Sequence, residues 1–287
     1  MRPQWASPDG EPLSVTADGL RDSARRRHDL ALTLPAHPSS VAVVRELLRG
    51  LRGLEGRPGL LNEVLGAVSE AANNVVMHAY ENGGGRLSVD VCLRARLEIR
   101  VRDWGRGLGS WARPTARRGV GLMAIDAFTD EFELRAGHGG GTEVWLSWGV
   151  GAPLPDCDDG LVAPVRDGEF VIDARPGAQL GAAIGRVTAL VAGRAGFTLD
   201  LVDRARAVAE QIMAYADAHG GAPLAGSHLS VVLNNLHRRR LGIRAGPLRA
   251  GHASTLCRDL PIPGEDRRVV ADPAAQEWLE LVLEDGR

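Results

Sequence analysis

Apolar and polar residues alternate in LALTLPA (30–36), and a period of two predicts a strand. Pro38-Ser39-Ser40 is a helix-start signal, and the VAVVRELLRGLRGL that follows has helical spacing. A second helix is predicted from about Leu60 to Tyr80, stopped by Asn82-Gly83-Gly84-Gly85. RLSVDVCLRARLEIRVRD (86–103) reads as two strands joined by a turn near Arg94-Ala95. Residues 104–121 are rich in Gly and Arg. LMAIDAFTDEFEL then reads as a helix running into a strand, and GTEVWLSW (141–148) as another strand. Residues 150–168 hold Gly, Pro and Asp without periodicity and are assigned as a linker. Residues 1–27 are polar, with a basic cluster at Arg25-Arg26-Arg27, and are expected to form a flexible tail.

The second half, residues 169–287, echoes the first. Leu87-Ser88-Val89 matches Leu229-Ser230-Val231, and Arg96-Leu97 with Ile99-Arg100 matches Arg240-Leu241 with Ile243-Arg244. EFVIDARPGAQLGAAIGRVTALV (169–191) follows the same order of strand, proline and helix as the start of the first half. GFTLDLVDRARAVAEQIMAYA (196–216) resembles the Leu60–Tyr80 segment. Asn234-Asn235 is read as a turn, and DPAAQEWLELVL (272–283) as a helix opening after Asp-Pro.

Composition narrows the class. Hydrophobic residues make up 44% and charged residues 24%, which excludes wholesale disorder. The apolar runs are shorter than a membrane span. A formal net charge of −2 calls for neither nucleic acid nor an anionic membrane. All 34 basic residues are Arg, so a lysine phosphate clamp or Schiff base is excluded. Cys92, Cys157 and Cys257 are few and far apart, which argues against a disulfide framework or a structural zinc site. The N-terminus lacks the pattern of a signal peptide, so a cytoplasmic location is expected.

Four segments carry candidate chemistry. On a helix, Glu70, Asn74, Met77 and His78 fall within about one third of the circumference. Leu61, Val64, Leu65, Val68, Ala72, Val75, Val76 and Ala79 take the other side. Asn73-Asn74 in mid-helix runs against propensity, which points either to a local break or to an amide oxygen serving as a ligand. Val101-Arg102-Asp103-Trp104-Gly105-Arg106-Gly107 sets a carboxylate at a strand end beside backbone that a ligand can approach closely. Arg118-Gly119-Val120-Gly121-Leu122 opens a helix, where exposed N–H groups favour phosphate. Gly140-Gly141-Thr142 precedes an apolar strand.

In order and spacing, VSEAANNVVMHAY, VRDWGRG, RRGVGLMAI and GGTEVWL resemble the N, G1, G2 and G3 boxes of the GHKL ATP-binding superfamily. The first box is similar to that of bacterial anti-sigma factor serine/threonine kinases, through Glu70-Ala71, Asn74 and His78-Ala79-Tyr80. The resemblance implies an α+β fold over residues 28–149: a GHKL-type sandwich of a mixed, mainly antiparallel sheet with helices on one face. A degenerate repeat of it, or another α/β domain, is expected over 169–287.

The resemblance also implies ATP and Mg²⁺ as ligands. Asn74 matches the magnesium ligand, and one amide oxygen suffices for an ion that keeps much of its water. Asp103 matches the acceptor of the adenine amine, Gly105 and Gly107 the backbone beside the purine, and Thr142 the hydroxyl that completes the contact. Gly119 and Gly121, with Leu122, match the phosphate-binding turn, and His78 lies in the same box as Asn74. Glu70 matches the proposed general base. Arg118 or Arg117 is the candidate phosphate clamp in a lid that also carries Arg106 and Arg113, flanked by Trp104 and Trp111.

Implied partners are a sigma factor and an anti-anti-sigma protein of the STAS type, with no direct nucleic acid and no membrane. The assembly implied is a homodimer or an intrachain pseudo-dimer. The alternative is a non-catalytic ATP/ADP-binding adaptor of the same fold, and the presence of Glu70 favours the kinase. A histidine kinase fragment is set aside, since residues 1–40 hold only His28 and His37 and no long helix. In the second half, Glu210 aligns with Glu70, but Ala214, Ala218 and Pro247 replace Asn74, His78 and Asp103. No nucleotide site is expected there.

Overall fold

The computed structural model describes residues 26–81, 84–93, 95–107, 120–137, 140–150, 159–160, 168–176, 180–236, 239–260 and 266–285. They fall into two compact units, residues 27–158 and residues 159–287 together with Arg26. Most of the expected tail, of the linker and of the lid lies outside the described residues, but Arg26–Arg27, assigned to the tail, form a short strand.

The first unit runs β1 (Leu30–Pro35), α1 (Pro38–Arg49), α2 (Pro58–Asn74), β2 (Arg86–Leu93), β3 (Arg96–Asp103), α3 (Val120–Phe128), β4 (Glu131–Ala136) and β5 (Thr142–Gly149). Its strands are ordered β1-β2-β3-β5-β4, every pairing antiparallel. The parallel component of a mixed sheet does not occur among these pairings.

Register makes the core. Leu32, Val89, Val101, Val144 and Leu134 are successive cross-strand partners, as are Leu30, Val91, Ile99, Leu146 and Phe132. A side-chain period of two therefore gathers one apolar face. α1 starts where His37 Nδ1 accepts the Ser39 N–H at 3.2 Å, a side-chain cap ahead of Pro38. Arg45 ties it to α2 through the Ser69 hydroxyl at 2.8 Å. α2 buries Val64, Leu65, Ala67, Val68, Ala71 and Ala72. α3 lies across α2 at two glycine contacts. A Cβ on Gly66 would sit 2.9 Å from the Phe128 ring, and one on Gly121 would sit 2.1 Å from Glu70 Oε1. The Trp148 indole N–H donates to the Phe128 carbonyl at 2.7 Å and holds the end of α3 to β5.

The predicted helix to Tyr80 is not uniform. α-Helix ends at Asn74, and Val75–Ala79 form a π turn. Such single wide turns recur at functional sites. The turn moves Met77 and His78 off the α-helical spacing, and both are exposed, whereas Glu70, Asn73 and Asn74 are half-buried.

The second unit runs β6 (Phe170–Ala174), α4 (Gly181–Arg194), α5 (Leu199–Ala218), β7 (Leu229–Leu236), β8 (Arg240–Leu248), α6 (His252–Asp259), β9 (Asp266–Ala271) and β10 (Glu277–Glu284). Its order, β6-β7-β8-β10-β9, is that of the first unit strand for strand.

Three expectations are corrected. Asn234 and Asn235 lie within β7, paired with Gly242 and Leu241, because the strand continues past its apolar start. Residues 277–284 form a strand and not a helix. Asp272 Oδ1 accepts the Ala274 and Gln276 N–H groups at 2.9 and 3.0 Å and makes Asp-Pro a turn. Leu279, Leu281 and Leu283 then bury at a period of two. Cys92 on β2 is disulfide-bonded, against the expectation from the few, widely spaced cysteines, and Cys257 is a free thiol. No helix among the described residues is long and apolar enough to cross a membrane.

Candidate active site

Asp103 ends β3 one step beyond the Arg102↔Glu143 pair, and Thr142 begins β5. Asp103 shares the face of Val101, and Thr142 that of Val144, so both polar groups sit on the core face of the sheet. Asp103 is 1% exposed and Thr142 2%. The Gly105 N–H donates to Asp103 Oδ1 at 2.8 Å. Asp103 Oδ2 and the Thr142 hydroxyl oxygen are both buried with no hydrogen-bond partner. Burial pushes the Asp103 carboxyl above its ordinary value, countered by the nearby Gly105 and Thr142 N–H groups, the Thr142 hydroxyl and Arg102. Neither atom makes a hydrogen bond of ordinary geometry, although the Thr142 hydroxyl lies close enough to the carboxyl to lower it, so a ligand can engage both.

The surrounding backbone is crowded in a way that requires glycine. A Cβ on Gly105 would lie 2.0 Å from the Ala79 carbonyl oxygen. Gly141, with φ of 75°, would bring a Cβ within 2.1 Å of the Asp103 carbonyl oxygen. Gly107 also has positive φ and faces the Gly141 carbonyl. The end of the π turn is joined to this loop. The Arg106 N–H donates to the Ala79 carbonyl at 3.0 Å, and its guanidinium donates to Glu81 at 2.7 Å and to the His78 carbonyl at 3.1 Å. Arg106 is thus engaged in the loop itself, not turned toward a phosphate. The Trp104 ring packs against the guanidiniums of Arg86 and Arg102, 5.4 and 4.8 Å from its centroid.

Asp103, Gly105, Gly107 and Thr142 therefore converge. Glu70 meets Gly121 at the start of α3, with Leu122 half-buried beside it, and Asn74 stands one turn after Glu70 on α2. His78 reaches the cluster through its backbone, with its side chain exposed. Arg118 and Gly119, like Arg113, Arg117 and Trp111, lie outside the described residues. The sequence placed Tyr80 and Gly141 only within their boxes and Gly85 only in a helix stop, and gave no role to Gly66. The small residues were signals of close approach, but what they approach is set by distant segments.

The second unit differs at the same positions. Ser230 pairs with Gly246 where Ser88 pairs with Arg102, so Pro247 stands at the place of Asp103. Residues 249–251 alone join β8 to α6, where residues 104–119 join β3 to α3. Glu277 accepts the Gly251 and Ala253 N–H groups at 2.8 and 3.1 Å, so a carboxylate of the unit itself occupies the N-terminus of α6. Glu210 lies against Gly185 of α4 and pairs with Arg206.

Residues 34–148 match the model of the histidine kinase-like ATPase domain. The chain is 32% identical over 95 residues to the anti-sigma F factor of Clostridium acetobutylicum, covering 29% of this chain and 66% of that protein. It is 31% identical over 96 residues to the anti-sigma F factor of Caldanaerobacter subterraneus, covering 30% and 67%. A crystal structure of the RsbU and RsbW domains of Rv1364c from Mycobacterium tuberculosis is 26% identical, with a TM-score of 0.32, over 41% of this chain and 31% of that one. With its four boxes in order along the sequence, and Asp103, Gly105, Gly107 and Thr142 gathered at one strand end, the chain belongs, through its first unit, to the anti-sigma factor family of histidine kinase-like ATPase domains.

Proposed function

We propose that the first unit binds Mg·ATP and transfers the γ-phosphoryl group to a serine or threonine of an anti-anti-sigma protein, and that the chain sequesters a sigma factor in the cytoplasm and releases it by partner switching. The observation that carries the nucleotide reading is the pair of buried orphan atoms, Asp103 Oδ2 and Thr142 Oγ1, on a wall of glycines. The adenine amine is a donor suited to the carboxylate, and the bond is charge-assisted. The N–H groups at the start of α3, Gly121 among them, suit the phosphates.

The half-buried Asn74 amide is the protein oxygen for Mg²⁺, which when bound neutralises charge on the phosphate oxygens. In the transfer, the hydroxyl oxygen of the acceptor bonds to the γ-phosphorus as the bond to the β–γ bridging oxygen breaks. ADP leaves with that electron pair, and the hydroxyl proton passes to Glu70. The second unit has the strand order of the first, so we read it as a degenerate repeat that holds no nucleotide.

Calorimetry and phosphotransfer to the anti-anti-sigma protein test the reading. Asn74→Ala weakens Mg·ATP binding tenfold or more, on the scale of about 1.5–3 kcal/mol for a charged contact. Glu70→Gln keeps affinity within a few-fold and slows transfer about 10²–10⁴-fold. A Glu70→Gln chain that transfers phosphate at the parent rate removes the base. Tight ATP binding with no transfer by the parent leaves the non-catalytic adaptor.

A further inference from the structure

Tyr80 follows the π turn, and its ring lies where Gly85 has no side chain: a Cβ there would be 2.3 Å from the ring carbons. Its hydroxyl makes three hydrogen bonds to backbone. It donates to the Arg86 carbonyl at 2.7 Å and accepts the Arg86 N–H at 3.1 Å and the Trp104 N–H at 2.9 Å. One phenol oxygen thus joins the start of β2 to the end of β3.

The Trp104 N–H belongs to the peptide unit whose carbonyl is that of Asp103. Gly141 presses on the carbonyl side of that unit, within the space a Cβ would need, while Tyr80 holds its N–H side. The next amide, Gly105 N–H, takes Asp103 Oδ1. With the peptide pinned on both sides and one carboxylate oxygen held, the other is left as a fixed acceptor. Burial, with Asp103 nearby, pushes the phenol above its ordinary value, so it keeps the proton it donates to Arg86.

We infer that Tyr80 is a positioning residue for Asp103, and that its hydroxyl sets the discrimination of the site between adenine and a base lacking the exocyclic amine. The inference rests on the adenine reading above. A loose carboxylate still attracts a donor but does not select for its place. A fixed one rewards the amine and rejects a carbonyl oxygen at the same position.

The test is titration of the full chain with ATP and with inosine triphosphate, which carries oxygen in place of the amine. The parent is expected to prefer ATP. Tyr80→Phe removes the hydroxyl and keeps the ring. It is expected to lower ATP affinity about tenfold, the scale of a lost charge-assisted contact, while inosine triphosphate affinity changes by less than about two-fold. Gly85→Ala, which displaces the ring and keeps the hydroxyl, is the second variant and should narrow the preference in the same way. An unchanged preference in either folded variant overturns the role, and so does an equal loss for both nucleotides, which marks mere destabilisation. A parent without preference for ATP overturns the adenine reading, and this inference with it. A parent that prefers ATP beside an indifferent Tyr80→Phe removes this inference alone.

Discussion

Gly121→Ala separates positioning from folding. Gly121 lies in the first turn of α3 without positive φ, so alanine suits the helix better by about 0.5–1 kcal/mol. The new Cβ would stand 2.1 Å from Glu70 Oε1, 2.9 Å from Cδ and 3.2 Å from Cγ. Carbon and oxygen do not coexist at that distance, so the carboxylate has to retreat by roughly 1 Å or more. The atom displaced is the far end of a flexible side chain, and leaving its rotamer well costs about 0.5–1.5 kcal/mol. The two terms nearly cancel, so the melting temperature moves by no more than a few degrees. The Gly121 N–H is retained, and ATP affinity should stay within a few-fold. Transfer should not: a misplacement of about 1 Å costs on the order of 10²-fold. Single-turnover phosphotransfer at saturating ATP, with calorimetry and a thermal melt on the same sample, is the assay. A variant that folds, binds ATP and transfers at the parent rate would falsify the view that the contact with Gly121 places Glu70.

Asp103→Asn should lower ATP affinity at least tenfold in a titration, since the charged acceptor is lost, by about 1.5–3 kcal/mol. Its stability has a defined pH dependence. The Asp103 carboxyl is raised on folding, chiefly by burial, so the parent holds its full stability below the ordinary carboxylate range and loses part of it as pH rises through the folded value. Asparagine stays neutral, so the variant should melt no lower than the parent at neutral pH, and any advantage should vanish as pH falls toward about 4. A variant that gains on the parent in acid reverses the sign and refutes the burial argument. Trp148→Phe removes the bond to the Phe128 carbonyl and should cost about 1–3 kcal/mol in urea unfolding; no loss would show that the bond does not hold α3. Glu277→Ala strips two N–H bonds from the start of α6 and should destabilise the second unit by about 0.5–2 kcal/mol in the same measurement, while ATP affinity is unchanged. Titration with a fluorescent ATP analogue should find one site per chain, and a second site would contradict the reading of Pro247 and Glu277.

Local pattern carried far along this chain. The alternation in 86–103 and 141–148 placed two hairpin strands and their partner within a residue of where they form, because a half-buried strand writes its period into the residues themselves. Asp103, Thr142 and Glu70 were legible as candidates only through the resemblance of the four boxes in order, while Asn74 also stood out because asparagine pairs are poor choices in mid-helix. The limits of local pattern show at residues 272–283, where Asp-Pro and a leucine-rich run fit a helix start as well as a strand. Pairing with β8 and β9 chose the strand.

Tertiary structure decided what no spacing contains. The π turn after Asn74 is met at its end by bonds from Arg106 to Ala79 and His78, across a gap in sequence. The orphan state of Asp103 Oδ2 exists only because strand register turns that side chain to the core face and the Gly105 N–H takes the other oxygen. The meeting of Gly121 with Glu70, and of Gly85 with Tyr80, follows from how helices and strands approach one another. A missing Cβ announces that something comes close, and only the packed fold names the neighbour.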